Sequence, residues 1–338
     1  MRFTETLRKK IIHPFSGAIV NRFKLRERRD VVFFADIVNH LIKKWEREDP
    51  ELLESIGREW MAFYMKSLLP DILKNMPITM FMNTVMKSVW KSLGLLDDMK
   101  AENDGDVVIL KTLDEDITNE IGKNHFLPGL YAGILSVFTG KEVVITNITA
   151  ASGKVDYNVY VFSLTKKPFD VKPREKELYN RLNKLNVTTG INLETAIQKG
   201  IIKTDTANKM YYRGFRLSAV ENTLFHIIGE HKELLEDVAN VSEGFFSHLV
   251  DKETPTYDRM KLLRNLLQIT GWGNIKVKMD KKEVVVVARN MPYSLKQKGD
   301  NWKFLSCVIL GFLRSSIPKS RIKDYRVGEK RLRIVCSL

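Results

Sequence analysis

Apolar residues recur every three or four positions in four stretches of the chain, which predicts helices there. These stretches are residues 30–46, 51–92, 174–186 and 216–269. Short aliphatic runs then predict buried strands, VVIL at 107–110 and VVVV at 284–287. An apolar segment containing glycine follows each run, and a strand pair follows that segment. The pattern predicts an α+β fold in which helices precede a small antiparallel sheet, and it occurs twice.

The two halves of the chain are diverged copies of one unit. Gly94 and Gly271 each lie 13 residues before an aliphatic run. In the following helices, Gly129 aligns with Cys307 and Gly133 with Gly311. We expect the GxxxG formed by Gly129 and Gly133 to pack its helix tightly on its own sheet, and close approach of a ligand or a neighbouring helix is the alternative. The predicted organisation is a basic N-terminal arm (1–30), a first repeat (31–165), a Pro-containing and charged linker (166–175) and a second repeat (176–338).

This order of glycine, aliphatic strand, glycine-containing helix and closing strand pair resembles the 4-vinyl reductase domain family. That family shares its fold with TRAPP trafficking subunits and haem nitric-oxide sensor domains. The resemblance is best over 94–164 and 271–338. It implies a non-enzymatic binding, sensing or regulatory role, with an apolar small molecule as ligand, and no catalytic residue set comes with it.

Aromatic residues near the glycine helices are candidates for the lining of such a pocket. Their alternative role is simple core packing. With the one cysteine of the glycine helix, the candidates are Trp90, Phe126, Tyr131, Trp272, Trp302, Phe304 and Cys307.

Metal and cofactor sites are not predicted. Many members of the resembled family carry cysteines in this helix and in the last strand, and here Cys307 and Cys336 occupy those regions. Two thiolates leave zinc short of ligands, and the first copy has no cysteine at all. The six histidines are scattered. Hydrolase, kinase and dinucleotide fingerprints are missing, so we expect no enzymatic activity. The acidic run from Asp114 to Asp116 is interpreted as a solvated loop or helix start.

The net charge of +14 is concentrated at the C-terminal end of the chain. Residues 259–338 carry 19 Lys and Arg against 5 Asp and Glu, whereas the preceding residues are balanced. Such an asymmetry is typical of a protein with a polyanionic partner such as RNA, DNA or the ribosome. The alternative is a lysine-rich surface of thermophile type, which the scarcity of glutamine also suggests.

Strand alternation in the closing hairpin predicts a basic stripe. In KRLRIV, Arg331 and Arg333 lie on one face, and in RIKDYR we expect Arg321, Lys323 and Tyr325 to share a face. The candidate polyanion-binding residues there are Arg314, Lys319, Arg321, Lys323, Arg326, Lys330, Arg331 and Arg333.

The N-terminal arm adds a second basic zone, with 9 Lys and Arg against 3 Asp and Glu in residues 1–30. This zone contacts RNA, lies on an anionic membrane or is a solvated extension. Its candidate contacts are Arg26, Arg28 and Arg29.

Three functions follow from the sequence. The first is a tandem small-molecule-binding protein with a basic face, the second a nucleic-acid- or ribosome-associated factor without a small ligand, and the third a TRAPP-like assembly scaffold that forms oligomers. No apolar run approaches the roughly 20 residues of a membrane span. With two cysteines only, the expected compartment is the cytoplasm.

Overall fold

A computed structural model describes most of the chain. The residues described are 20–23, 26–68, 75–151, 157–171, 190–206, 209–251, 253–289, 291–292, 300–328 and 331–338. They form an α+β protein, as the sequence predicted, that divides into two compact units. The first-copy unit comprises Val38–Lys176 with Thr206–Lys209, and the second-copy unit comprises Met1–Ile37, Glu177–Asp205 and Met210–Leu338. The predicted domain boundaries stay predictions.

The first copy consists of helices followed by a four-stranded antiparallel sheet, in the order β3-β4-β6-β5. Between α3 and α4 the helix passes through a π-helical segment, Phe81–Met86. The helices are α1 (Ala35–Glu48), α2 (Pro50–Leu68), α3 (Ile78–Met80), α4 (Lys87–Ser92), α5 (Asp116–Ile121) and α6 (Phe126–Thr139). The strands are β3 (Asp98–Asp104), β4 (Val107–Leu113), β5 (Lys141–Thr149) and β6 (Asn158–Pro168).

The second copy repeats this topology, because its closing sheet has the order β10-β11-β13-β12. Its helices are α7 (Leu193–Gln198), α8 (Thr223–Glu230), α9 (Leu235–Leu249), α10 (Thr256–Ile269) and α11 (Asn301–Arg314). The strands of the sheet are β10 (Asn274–Met279), β11 (Glu283–Arg289), β12 (Arg321–Gly328) and β13 (Arg331–Ser337). The helices α6 and α11 both span 14 residues and occupy the same place in the two copies.

A five-stranded sheet, absent from the sequence prediction, completes the second-copy unit. Its order is β1-β2-β9-β8-β7. The strands are β1 (Val20–Phe23), β2 (Arg26–Phe34), β7 (Ile202–Thr204), β8 (Met210–Tyr212) and β9 (Phe215–Glu221).

The helices predicted from residue 30 and from residue 216 were therefore wrong at their beginnings. Residues 30–34 form the end of β2, and they pair with 217–221 of β9. The four residues Val31–Phe34 are all buried. A short apolar run that is buried on both faces shows no alternation of apolar and polar residues. The spacing of apolar residues therefore cannot distinguish a strand from a helix there, and the helix prediction failed.

Glycines let the central helices approach a neighbouring helix at backbone distance. A Cβ built on Gly129 or Gly133 would lie 2.3 Å from the carbonyl oxygen of Glu54 or Arg58 in α2. In the second copy, a Cβ on Gly311 would lie 2.5 Å from the carbonyl oxygen of Ala239 in α9. The expectation that the GxxxG serves packing on the sheet is corrected, since these glycines face a helix.

We expect Gly311→Ala to destabilise the protein by about 1–3 kcal/mol, because the new methyl group has no room between α11 and α9. Gly244→Ala is the matched control. Gly244 lies in α9 with nothing within 4 Å of its Cβ position, so alanine there should stabilise the helix by up to about 1 kcal/mol. Urea unfolding of both variants measures the difference, and equal midpoints would contradict this account of the helix contact.

Candidate nucleic-acid interface

The closing sheet of the second copy has one buried face and one open face. On β11, Val284, Val286 and Ala288 are at most 1% exposed, and on β13 so are Leu332 and Ile334. Cross-strand pairing joins these residues on one side of the sheet, towards α11. The intervening residues lie on the opposite side, which we call the outer face.

The eight basic residues on the four strands of the closing sheet all lie on the outer face. Register places eight cations and two carboxylates there, with Val285, Val287 and Val335 between them. The cations are Lys276, Lys278, Arg289, Arg321, Lys323, Arg326, Arg331 and Arg333, and the carboxylates are Glu283 and Asp324. The predicted alternation in KRLRIV is confirmed, because Arg331 is exposed while Leu332 is fully buried.

Two pairs of arginines stand directly opposite each other on this face. Arg289 of β11 pairs in register with Arg331 of β13, and Arg333 of β13 pairs with Arg326 of β12. Asp324 lies 3.6 Å from Arg326 and 3.8 Å from Arg333, so one carboxylate serves the second pair. Within the described part of the chain, Arg289 and Arg331 have no carboxylate partner and both are exposed. Like charges placed directly opposite on a sheet destabilise it.

A β-bulge in β12 changes which of the residues after it point to the outer face and which point towards α11. The pairing steps from Ile322 opposite Cys336 to Asp324 opposite Val335, so Lys323 is an extra residue. Lys323 Nζ donates to Glu283 on the outer face, but Tyr325 pairs with Ile334 and so lies on the side of α11. The expectation that Arg321, Lys323 and Tyr325 share a face was therefore wrong for the tyrosine.

Arg314 and Lys319 do not belong to the outer face. The guanidinium of Arg314 donates to Glu236 Oε1 at 2.8 Å and to the Ser320 carbonyl oxygen at 3.4 Å, which ties it to α9 and to the turn before β12. Lys319 is exposed in the turn between α11 and β12.

The other predicted polyanion contacts lie elsewhere. Lys330 lies outside the described residues. Three arginines are on β2 of the five-stranded sheet, where only the backbone is described: Arg26, Arg28 and Arg29.

The equivalent face of the first copy has a different character. Its strands place Val107, Ile109, Val159 and Val161 on the open side. A like-charged pair also occurs there, Lys100 opposite Lys111, but Lys111 is bonded to Glu102 at 2.7 Å. Asp98 and Asp104 share that face, so its charges are mixed. The basic outer face is therefore a property of the second copy.

Five of the six predicted pocket aromatics lie in the cores of the two units, and the sixth, Trp302, is half-buried. Trp90 and Tyr131 contact each other at 5.2 Å between ring centroids, and Phe126 stacks on Trp60. Trp272 and Phe304 are fully buried and stack at 6.4 Å. Core packing, the alternative role, accounts for these contacts.

The cavities have other linings. A groove of about 450 Å³ in the second-copy unit has both apolar and charged residues in its lining. It is lined by Ile191, Ile201, Tyr212, Arg213, Asp258, Lys261, Leu262, Asn265 and Ile269. A smaller cavity of about 230 Å³ in the first-copy unit is bordered by Lys66, Val137, Phe138, Thr139, Gly140, Phe169 and Val171.

Neither cysteine is a reactive thiol. Both Cys307 and Cys336 are buried and unbridged, and burial raises the pKa of each to about 12. Both therefore stay protonated at neutral pH, a form that binds metal poorly. Among the described residues, no group of three His, Cys, Asp or Glu is arranged to hold a metal ion.

A buried carboxylate in the first copy escaped the sequence analysis. Glu115 is the N-cap of α5, so the predicted helix start is confirmed, but it is 2% exposed rather than solvated. The hydroxyls of Tyr131, Tyr160 (2.5 Å) and Thr118 (2.7 Å) donate to it, as does the amide of Asn158 at 3.3 Å. Burial raises the pKa of Glu115 despite these donors. The one sequence signal was the alternation in β6, which places the polar side chains of Asn158 and Tyr160 on the same face as Phe162. Glu115 itself was hidden among acidic neighbours, Asp114 and Asp116, which suggested a solvated run.

Comparisons with known proteins do not identify the chain. No family model and no curated protein matches it. A solved structure, the subunit 3 of a trafficking protein particle complex from Naegleria fowleri covalently bound to palmitic acid, aligns with 40% of this chain and 92% of its own at 13% identity. The TM-score of that alignment is 0.30, which is too low to support a conclusion about fold or function. The resemblance to the 4-vinyl reductase family stays a prediction.

We expect Tyr160→Phe to destabilise the protein more at pH 7 than at pH 4. A carboxyl whose pKa is raised by folding loses stability as pH rises from its unfolded pKa through its folded pKa. Removing the Tyr160 donor raises the pKa of Glu115 further and leaves the carboxylate short of one bond, a loss of about 1–3 kcal/mol when it is ionised. Urea unfolding at both pH values measures this, with the exposed Tyr257→Phe as control. An equal loss at both pH values would refute a buried, ionisable Glu115.

Proposed function

We propose that this chain binds nucleic acid through the outer face of the second-copy sheet. The observation that carries the proposal is the cross-strand pair Arg289 and Arg331, which stands exposed with no carboxylate partner among the described residues. This face carries eight cations against two carboxylates, Glu283 and Asp324, and neither carboxylate is paired with Arg289 or Arg331.

An anion between the two guanidinium groups would relieve their repulsion. Each guanidinium presents several N–H donors in a planar fork that matches the oxygens of a phosphate. Three further cations on this face could also bind an anion. Lys276, Lys278 and Arg321 are exposed there and have no ion pair with a described residue. A row of phosphates would satisfy all of them together, whereas a single small anion would not.

The dimensions of the face fit a nucleic-acid backbone. Four strands spaced about 4.8 Å apart give a surface about 14 Å wide, and six to eight residues of each strand make it about 20 Å long. Successive phosphates of a stacked strand are separated by about 3.4 Å along the axis, so several can lie on this surface at once. The open side of the sheet leaves the surface accessible without any movement of α11.

Two other functions stay predictions. Binding of an apolar small molecule would use the groove near Tyr212 and Leu262, because five of the six predicted aromatic residues are part of the cores. Assembly into a TRAPP-like scaffold has no residue-level support in the described surfaces. Among the described helices, none has the length and apolarity that crossing a membrane requires.

The proposal predicts that Arg289→Gln with Arg331→Gln weakens binding of a labelled oligonucleotide at least tenfold at about 50 mM salt. It should also lower the slope of log affinity against log salt by about 2, because each lost phosphate contact removes about one unit. Fluorescence anisotropy across a salt series measures both quantities.

The matched control removes two positive charges elsewhere in the same unit. Lys199→Gln with Lys203→Gln changes exposed residues near the five-stranded sheet and should keep the affinity and slope of the unchanged protein. The proposal is wrong if no oligonucleotide binds at low salt, or if the two double variants lose affinity equally.

A further inference from the structure

An aromatic pair stands at the open edge of the basic sheet. Tyr325 lies on β12, the last strand in the order β10-β11-β13-β12, and is 51% exposed. Its ring centroid lies 4.4 Å from that of Trp302 on the first turn of α11, with a tilt of 40° between the planes. One face of the tyrosine ring is thus supported from below by tryptophan, while much of the ring is open to solvent.

The tryptophan of this pair is more exposed than the other tryptophans of the chain. Trp45, Trp60, Trp90 and Trp272 are all buried, at 0–8% exposed. Trp302, the fifth tryptophan of the chain, is half-buried and lies nearer the surface than the other four. A residue used only for core packing would gain more by lying deeper, as its counterparts do.

The bulge at Lys323 is the feature that places the pair. Without the extra residue, Tyr325 would point to the outer face, where it would have no contact with Trp302. Bulges of this kind re-aim side chains and are frequent beside functional sites. Val327, two residues further on β12 and 43% exposed, lies on the same side and extends the apolar edge.

Charged groups flank the pair on both sides of the strand. Arg326 points to the outer face with 79% of its side chain exposed, and Lys303 Nζ lies 5.8 Å from the centroid of the Trp302 ring. Asp324 and Asp300 are also near, bonded to Arg326 and to Lys303 at 3.6 Å and 3.1 Å. A ligand along this edge therefore meets cations beside an exposed ring, with the nearby acids already engaged.

We propose that the edge strand β12 binds single-stranded nucleic acid, with a base stacked on Tyr325 and the adjoining phosphates on the outer face. This inference rests on the function proposed above and specifies its ligand. A base offers its π-face to a protein ring only where the strand is unpaired, and stacking on aromatic side chains is the usual device of single-strand binders. In a duplex the bases are stacked on one another, so Tyr325 would contribute nothing.

The first test compares a single strand with a duplex. The probes are a labelled oligo(U) of about 12 nucleotides and a duplex of the same length. Tyr325→Ala should lower the affinity for the single strand about tenfold and leave the affinity for the duplex unchanged. Tyr325→Phe keeps the ring and should bind as the unchanged protein does. Tyr257→Ala, at another exposed tyrosine of the same unit, should have no effect.

A second readout uses the tryptophan itself. Because the other four tryptophans are buried, oligo(U) should quench the emission of Trp302, and Trp302→Phe should abolish that quenching. Circular dichroism of each variant checks that it folds. If Tyr325→Ala does not fold, the Trp302 quenching in the unchanged protein and its loss in Trp302→Phe decide the matter.

The outcomes separate the two proposals. If neither probe binds at about 50 mM salt, the proposed function fails and this inference fails with it. If both probes bind and Arg289→Gln with Arg331→Gln weakens both, but Tyr325→Ala changes neither and Trp302 emission is unaffected, the basic face stands and the stacking inference is wrong.

Discussion

Among the described residues of each unit, helices pack on one side of the closing sheet, and this constraint determines which strand residues must be apolar. Alternation in β11 and β13 sends Val284, Val286 and Leu332 into the core. Most residues of the opposite parity are exposed or half-buried, with Val335 as the buried exception, because no described helix of the second copy lies over them. Their identity is set by solvent or by a partner, not by the need to bury apolar surface.

Comparison of the two copies shows that the buried face of the closing sheet is kept while the open face varies. Both copies keep the strand order and the 14-residue central helix, and a glycine in each central helix allows backbone contact with a neighbouring helix. The open faces diverged, one to valines with mixed charges and the other to opposed arginines. Because the fold depends on the buried parity alone, the open face of the second copy could acquire a charge density that would otherwise destabilise a sheet.

Local pattern predicted the α+β class, the repeat and the alternation of Arg331 and Leu332. Local pattern did not predict the features that depend on pairing between strands. The bulge at Lys323 is invisible in RIKDYR, because it exists only relative to Cys336 and Val335 on the neighbouring strand. Likewise the run Val31–Phe34 becomes a strand only because 217–221 pair with it. The burial of Glu115 depends on hydroxyl donors, among them Tyr131 and Tyr160, that are distant in sequence and meet only in the fold.

The central claim is that the opposed pair Arg289 and Arg331 binds a polyanion and lowers the stability of the unliganded protein. Unfolding of Arg331→Gln by urea, with and without oligonucleotide, tests it most directly. The account predicts that the unliganded variant is more stable than the unchanged protein by about 0.2–1 kcal/mol at low salt, and gains less stability from the oligonucleotide. Arg331→Lys, which keeps the charge, should show no such gain in the unliganded state. A less stable Arg331→Gln, or one that the oligonucleotide stabilises as much as the unchanged protein, would contradict the account.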